Sequence, residues 1–178
     1  AKNGIRGAHS ATIMSQSFLP FYLGLPEKNV DIMLEVKDKN LSAVKCILLT
    51  NPHISIRDIE QEWAKYKYWV LSRSAKIYQD IRNLLKGKDS PDAPAFFRLI
   101  EQAAERPTDI GAEVNAAEHV WGYLSEEASE AETRRFKKLI IGLTASTAKP
   151  TTIKRFLLRL AERQNQPYLL NSLYLYIE

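Results

Sequence analysis

Apolar residues recur at intervals of three and four along most of the chain after Pro52, a period that predicts amphipathic helices. The first apolar stripe follows Ser55 and Asp58, which have the form of a capping box, and it continues to Leu84. This stripe predicts either one long helix or two helices with a break between residues 72 and 74.

Further helices are predicted over residues 95–105 and 112–124, and two more begin near residues 130 and 150. A second capping box, Ser129 with Glu132, marks the start of the third of these, and Pro150 marks the start of the fourth. Pro167 opens a last apolar segment. Together these elements predict an all-α domain of about six helices over residues 52–178.

The segment before this domain has a different pattern. Residues 29–36 are mostly apolar and follow a glycine and a proline, which is typical of a buried strand in a parallel sheet. Asp38 is placed to cap a following helix that runs to about residue 49, where Asn51 and Pro52 end it.

A strand, a loop and a helix form one repeating unit of a (β/α) barrel, and one unit cannot close a barrel. We therefore predict a mostly α chain in two parts. Residues 1–51 would form a single β-α remnant of a barrel, and residues 52–178 would form the helical domain.

Composition adds few constraints. The 178 residues carry a formal net charge of +4 and contain one cysteine, Cys46, which cannot form an intrachain disulfide. The sequence shows neither a leader pattern nor an apolar run of about 18 residues. We therefore expect a cytoplasmic protein that does not contact a membrane.

Glu35 is the first candidate for chemistry, because it stands inside the apolar segment 29–36. An unpaired buried carboxylate costs several kcal/mol, so a partner must compensate it. One reading is a salt bridge to Lys37 or Lys39. The other is a metal ligand at the C-terminal end of a barrel strand, where barrel enzymes place their active-site residues.

A family resemblance favours the second reading. The run from Asp31 to Asn40, followed by Leu41, Ala43 and Val44, resembles the final strand and helix of the UV-damage endonucleases, the UvdE family. Those enzymes are metal-dependent TIM barrels that cut DNA on the 5′ side of a photoproduct. The glutamate of this motif is one of their metal ligands, so the resemblance implies that role for Glu35.

His9 lies in the segment Arg6–Ser10, which is similar to the part of that family that places a histidine in the active site. The resemblance makes His9 a candidate catalytic residue. However, Ala11 and Thr12 stand where the family usually has an acidic residue. A solvated loop histidine is the alternative.

The resemblance implies a divalent metal, manganese or magnesium, in the parent enzyme. Hydrolysis of a phosphodiester by several such ions needs several His, Asp and Glu ligands. Of the residues in this chain, only Glu35 and His9 match positions where ligands are needed, so the missing barrel portion of the same protein is an expected partner. We expect no cofactor and no incision activity for this chain alone.

The larger part also resembles a known group. Residues 62–72, 115–124 and 167–175 are similar to the YbgA-like helical domain of unknown function. Two positions depart from its pattern: Tyr66 replaces a histidine, and a late glutamine is replaced near Asn171. Within the second segment, His119 is expected to be a core histidine that bonds to Asn115, one helical turn away. We assign no catalytic residue to this domain.

Charge in the second half is uneven. Residues 113–132 contain six acidic residues and no lysine or arginine, whereas residues 133–163 contain nine basic residues and one acid, Glu162. The nine are Arg134, Arg135, Lys137, Lys138, Lys149, Lys154, Arg155, Arg159 and Arg163. A solvated helix face explains them, and so does a surface that contacts DNA phosphates.

Two functions therefore stay open. In the first, the chain is the C-terminal fragment of a DNA-repair endonuclease whose damaged duplex substrate is supported by the helical domain. In the second, it is a non-enzymatic helical module that binds protein, with its acidic segment facing a basic partner or its own basic half.

Overall fold

The computed structural model describes residues 9–87 and 92–177, and these residues are mostly helical. Nine α-helices follow one another along the described chain. They are α1 (Ser15–Leu23), α2 (Asn40–Thr50), α3 (Ile56–Arg73), α4 (Ala75–Leu84), α5 (Ala93–Ala104), α6 (Ile110–Gly122), α7 (Glu130–Thr144), α8 (Pro150–Arg163) and α9 (Pro167–Leu170). A 3-10 turn over Leu173–Leu175 follows. None of the described helices combines the length and hydropathy needed to span a membrane.

Both predicted capping boxes form. The Ser55 side chain accepts from the amide of Asp58, and the Asp58 carboxylate accepts from the amide of Ser55 at 2.8 Å. Ser129 and Glu132 close the start of α7 in the same way. The first stripe is two helices, because Ser74 adopts an extended backbone and its hydroxyl accepts from the amide of Ile77 at 3.2 Å to start α4.

Helix α3 lies at the centre of the fold and contacts α4, α5, α6 and the 3-10 turn. Helix α8 packs on α6, α7, α9 and the same turn. The side chains between them are apolar and fully buried, among them Val70, Phe96, Phe97, Leu157 and Tyr174. Burial of this apolar surface drives the fold, since most helical stability in proteins comes from packing of the apolar face.

The helices before residue 52 form a smaller layer. Helices α1 and α2 pack on each other, and both contact α5 of the helical core. Helix α1 was not predicted from the sequence; it contains Pro20 and buries Phe18. Its first turn is held by a carboxylate of another helix, Glu101 of α5, which accepts from the amide of Ser15 at 2.8 Å.

The predicted buried strand over residues 29–36 is not present. In the described part of the chain this segment makes one isolated parallel bridge, between Val36 and Ser10. Val36 is buried, but Val30 is 45% exposed and Met33 is 85% exposed. A strand needs neighbours to satisfy its backbone groups, and among the described residues only the short stretch at Ser10 and Ala11 supplies them.

The helix after this segment forms as predicted and ends at Thr50, directly before Asn51, but its cap differs. Lys39 is the residue before the helix, with a φ of 36°, and its side chain makes no capping bond. Asp38 instead accepts a hydrogen bond from the hydroxyl of Ser42 at 2.6 Å. The backbone carbonyl of Asp38 accepts from the amide of Leu41 at 2.9 Å.

Candidate functional site

His9 and Glu35 lie side by side at the edge of the smaller layer. The isolated parallel bridge joins Ser10 to Val36, so the residues that precede these two also become neighbours. The Nδ1 atom of His9 lies 3.8 Å from Oε2 of Glu35. The side chains are 59% and 68% exposed, so both face solvent.

This arrangement differs from the expectations for Glu35 in two ways. The carboxylate is exposed rather than buried in an apolar strand, because the strand does not form. Its nearest cation within the described residues is His9 when that imidazole is protonated, and neither Lys37 nor Lys39 pairs with it. The neighbouring Arg6, Gly7 and Ala8 lie outside the described residues.

The two side chains provide donor types that metal ions accept, an imidazole nitrogen and a carboxylate oxygen. Within residues 9–87 and 92–177, however, no group of three or more His, Cys, Asp and Glu side chains could hold a metal ion. The chemistry of the pair therefore suits a metal site, and the number of donors does not complete one.

Eight of the nine basic residues between 134 and 163 are exposed, on or beside the neighbouring helices α7 and α8. Arg134 pairs with Glu130 at 3.3 Å, and Arg163 pairs with Glu132 at 3.1 Å. The guanidinium of Arg135 lies 5.6 Å from the centre of the Phe156 ring.

Lys154 is the exception, since it is 6% exposed. Its Nζ donates to the carbonyl of Ile177 at 3.1 Å and lies 3.8 Å from Oε1 of Glu113. It also lies 4.7 Å from the centre of the Tyr174 ring. Lys154 therefore lies in the interior rather than on the basic surface.

Residues 62–72, 115–124 and 167–175 converge on a cluster of tyrosines. The hydroxyls of Tyr68 and Tyr123 are 3.0 Å apart and hydrogen-bonded. The ring of Tyr168 lies 6.3 Å from that of Tyr68 and 5.3 Å from that of Tyr123. Burial, followed by the bond to Tyr123, raises the pKa of Tyr68 far above its ordinary value. This phenol is therefore protonated at neutral pH and joins α3 to the end of α6.

His119 lies at the edge of this cluster and is exposed, so the prediction of a core histidine is wrong. Its ring stacks against that of Tyr68, with centroids 6.4 Å apart. The structure describes both His119 and Asn115, and no hydrogen bond joins them. The sequence prediction failed because Ala116, Ala117 and Val120 face the core, whereas His119 stays exposed at the edge of the contact between α3 and α6.

Comparison with known proteins gives two results. Residues 67–177 match the family model described as "Protein of unknown function (DUF1722)". The UV DNA damage endonuclease of Clostridium perfringens (strain 13 / Type A) is 31% identical over 138 residues, which are 76% of this chain and 32% of that protein. The chain thus spans about a third of this curated relative. No solved structure matches. Since the family model covers more than half of the residues, the chain belongs to the DUF1722 family of proteins of unknown function.

Proposed function

We propose that this chain is the C-terminal part of a metal-dependent UV-damage DNA endonuclease, in which α3 to α9 support the DNA. The observation that carries the proposal is the approach of His9 to Glu35 at 3.8 Å. It occurs in a chain of which 76% is similar to part of a UV DNA damage endonuclease. A YbgA-like origin for the helical part stays a prediction.

In this proposal Glu35 holds a divalent ion, manganese or magnesium, and His9 lies beside it in the active site. Such an ion, when bound, polarises a phosphodiester and lowers the pKa of bound water. Glu35 contributes a carboxylate oxygen, and the exposed imidazole of His9 can accept or donate a proton at Nδ1.

The remaining ligands would come from the barrel portion of the same protein. Exposed apolar side chains in this part of the chain support such a partner: Leu23 is 70% exposed, Ile47 is 63% exposed and Met33 is 85% exposed. Exposed apolar groups on one layer are typical of an interaction surface.

The activity test has two arms. This chain alone, with added manganese or magnesium, is expected to leave UV-irradiated plasmid intact, because two donors do not hold the ions that hydrolysis requires. In the longer protein, Glu35→Gln is expected to abolish nicking without loss of DNA binding. Asp31→Asn, a change at an exposed neighbouring carboxylate, serves as the control. Metal-dependent nicking by the isolated chain that Glu35→Gln removes would overturn the proposal that the site is incomplete.

The basic surface of α7 and α8 is proposed to bind duplex DNA through its phosphates, without sequence preference. Each phosphate contact that is lost should lower the slope of log affinity against log salt by roughly 0.9. Arg155→Glu with Arg159→Glu is therefore expected to weaken binding to labelled duplex and to flatten the slope. Lys65→Glu with Lys67→Glu, on α3, is the control and should matter less.

The alternative function is a protein-interaction module. One feature favours it: a hollow between α6 and α7 is lined by Trp121, Phe136, Ile140 and Ile141, and Ile141 is 68% exposed. If duplex DNA shows no measurable affinity at low salt, or if the double reversal on α8 leaves affinity unchanged, this alternative is favoured over DNA support.

A further inference from the structure

A recess of about 400 Å³ lies between the end of α3 and the start of α8. Four cationic side chains line it: Arg73, Lys149, Lys154 and Arg155. The lining also includes one carboxylate, Glu113, and two threonines. Arg73 comes from α3, and the other three cations lie about 80 residues later in the sequence, so only the fold brings them together.

The carboxylate is already compensated from inside the protein. Glu113 is 2% exposed, accepts a hydrogen bond from the Tyr174 hydroxyl at 2.8 Å and lies 3.8 Å from the ammonium of Lys154. Glu113 and Lys154 therefore neutralise each other at the base of the recess. The Glu113 carboxylate is therefore not available to pair with the cations nearer the opening.

Those three cations are Arg73, Lys149 and Arg155, and within the described residues no carboxylate lies within ion-pairing distance of them. Arg73 is held in place, because one of its nitrogens donates to the carbonyl of Arg106 at 3.2 Å and its guanidinium lies 5.7 Å from the Trp69 ring centre. Like charges that face one recess repel each other, and an anion between them would relieve the repulsion.

We propose that this recess binds a phosphate group. A guanidinium presents a planar fork that matches phosphate oxygens, and an ammonium adds a point charge. Thr108 and Thr151 add hydroxyl donors to the lining, and the start of α8 at Pro150 adds positive potential. The phosphate is either a free phosphomonoester or a group of the DNA backbone. This inference deepens the proposed DNA contact and rests on it only for the second of these sources.

The first measurement is a calorimetric titration of the whole chain with inorganic phosphate. Arg73→Gln is expected to weaken phosphate binding by about ten-fold, the loss typical of one charge-assisted hydrogen bond. Lys149→Gln, at an exposed side chain, tests the same recess without touching the bond to Arg106. Arg57→Gln, an exposed arginine at the opposite end of α3 from Arg73, is the matched control and should bind phosphate as the unchanged protein does. Phosphate binding that is absent, or equal in Lys149→Gln and in the unchanged protein, overturns the inference.

A second measurement separates the sources of the phosphate. If DNA supplies the group, inorganic phosphate should compete with labelled duplex, and Lys149→Gln should weaken both ligands. If a free phosphomonoester is the ligand, Lys149→Gln should weaken phosphate alone. Duplex that does not bind at all, together with phosphate binding that Lys149→Gln weakens, would remove the DNA contact proposed above and leave the recess as a phosphate site.

Discussion

The two regions of this molecule, residues 9–51 and residues 52–177, differ in how most of their helices begin, although α8 and α9 of the second region also lack a side-chain cap. In the second region, five successive helices from α3 to α7 begin with a side chain that accepts from the amide three residues later. These side chains belong to Ser55, Ser74, Asp92, Asp109 and Ser129. In the first region, α1 and α2 follow Met14 and Lys39, and neither side chain makes a capping bond.

The first region instead depends on Glu101 of α5. This carboxylate accepts from the amide and the hydroxyl of Ser15, both at 2.8 Å, and pairs with Lys45 of α2 at 3.0 Å. The Lys45 and Glu101 side chains are almost completely buried. The comparison teaches that the helical region is specified by local signals, whereas the order of residues 9–51 depends on their docking to it.

The largest difference is expected in the response to losing one leucine. Leu157 is fully buried at the centre of the helical region, so Leu157→Ala should lower the free energy of unfolding by about 2–5 kcal/mol. Leu23 is 70% exposed in the first region, so Leu23→Ala should change it by less than about 0.5 kcal/mol. Urea unfolding followed by circular dichroism measures both. Equal losses would mean that the two regions share one core.

A smaller effect on the free energy of global unfolding is expected from breaking the buried ion pair between Lys45 and Glu101. Lys45→Met leaves the Glu101 carboxylate without its cation, which costs about 3–5 kcal/mol while the carboxylate stays buried. Undocking of residues 9–51 exposes the carboxylate to water, so the measured cost should stop at the free energy of docking. The free energy of global unfolding should therefore change little, whereas the rate at which Cys46 is alkylated should rise.

Cys46 reports undocking because it is buried in α2 and is the single cysteine of the chain. Lys45→Met also removes a charge that favours the reactive thiolate, and that loss by itself would slow alkylation. Faster alkylation in this variant would therefore indicate exposure of Cys46. Lys76→Met, which removes an exposed pair with Asp80, is the control and should leave the rate unchanged. Slow alkylation in both variants would show that the ion pair does not hold the regions together.

The docking should also weaken in alkali. Burial raises the pKa of the Cys46 thiol from 9.0 to about 11, and the Asp38 charge adds to the rise while Lys45 opposes it. Since the pKa is higher in the docked state, the protonated thiol favours docking, and its contribution is complete below pH 9.0 and lost as the pH rises toward about 11. Cys46→Ala should show a flatter dependence of docking on pH over this range, measured by hydrogen exchange of α2. If docking depends on pH equally in Cys46→Ala and in the unchanged protein, the Cys46 thiol is not the group responsible.

The same contrast explains what the sequence could predict. Helices α3 to α6 begin and end within about two residues of the predicted bounds, and α7 and α8 begin where they were predicted, because caps, prolines and apolar periods are local. The strand over residues 29–36 failed because a strand depends on neighbours that periodicity does not reveal. Helix α1 escaped prediction because it contains a proline and takes its N-terminal acceptor from Glu101, 86 residues away.

Site residues follow the same division. A resemblance over a short run pointed to Glu35 and His9, but their approach results from a bridge that sequence spacing cannot show. Lys154 looked like part of a basic helix face, and its burial depends on Glu113 and Tyr174, which belong to other elements. Arg73 was missed entirely, since its cationic neighbours in the recess are distant in sequence.

The smallest effect is expected where the second region closes one of its own helices. Ser129→Ala removes the acceptor for the amide of Glu132, so it should lower the free energy of unfolding by about 1 kcal/mol, and Ser129→Asp should restore most of it. Bonds from Ser129, with the charge of Arg163, hold the pKa of Glu132 below its ordinary 4.5, so this contribution is present above that pH and lost in acid. The difference in the free energy of unfolding between Ser129→Ala and the unchanged protein should therefore narrow as the pH falls below 4.5.

Cys46 alkylation should not change at neutral pH, because the cap acts within α7. Faster alkylation in Ser129→Ala would mean that a local cap of the helical region also controls docking of residues 9–51.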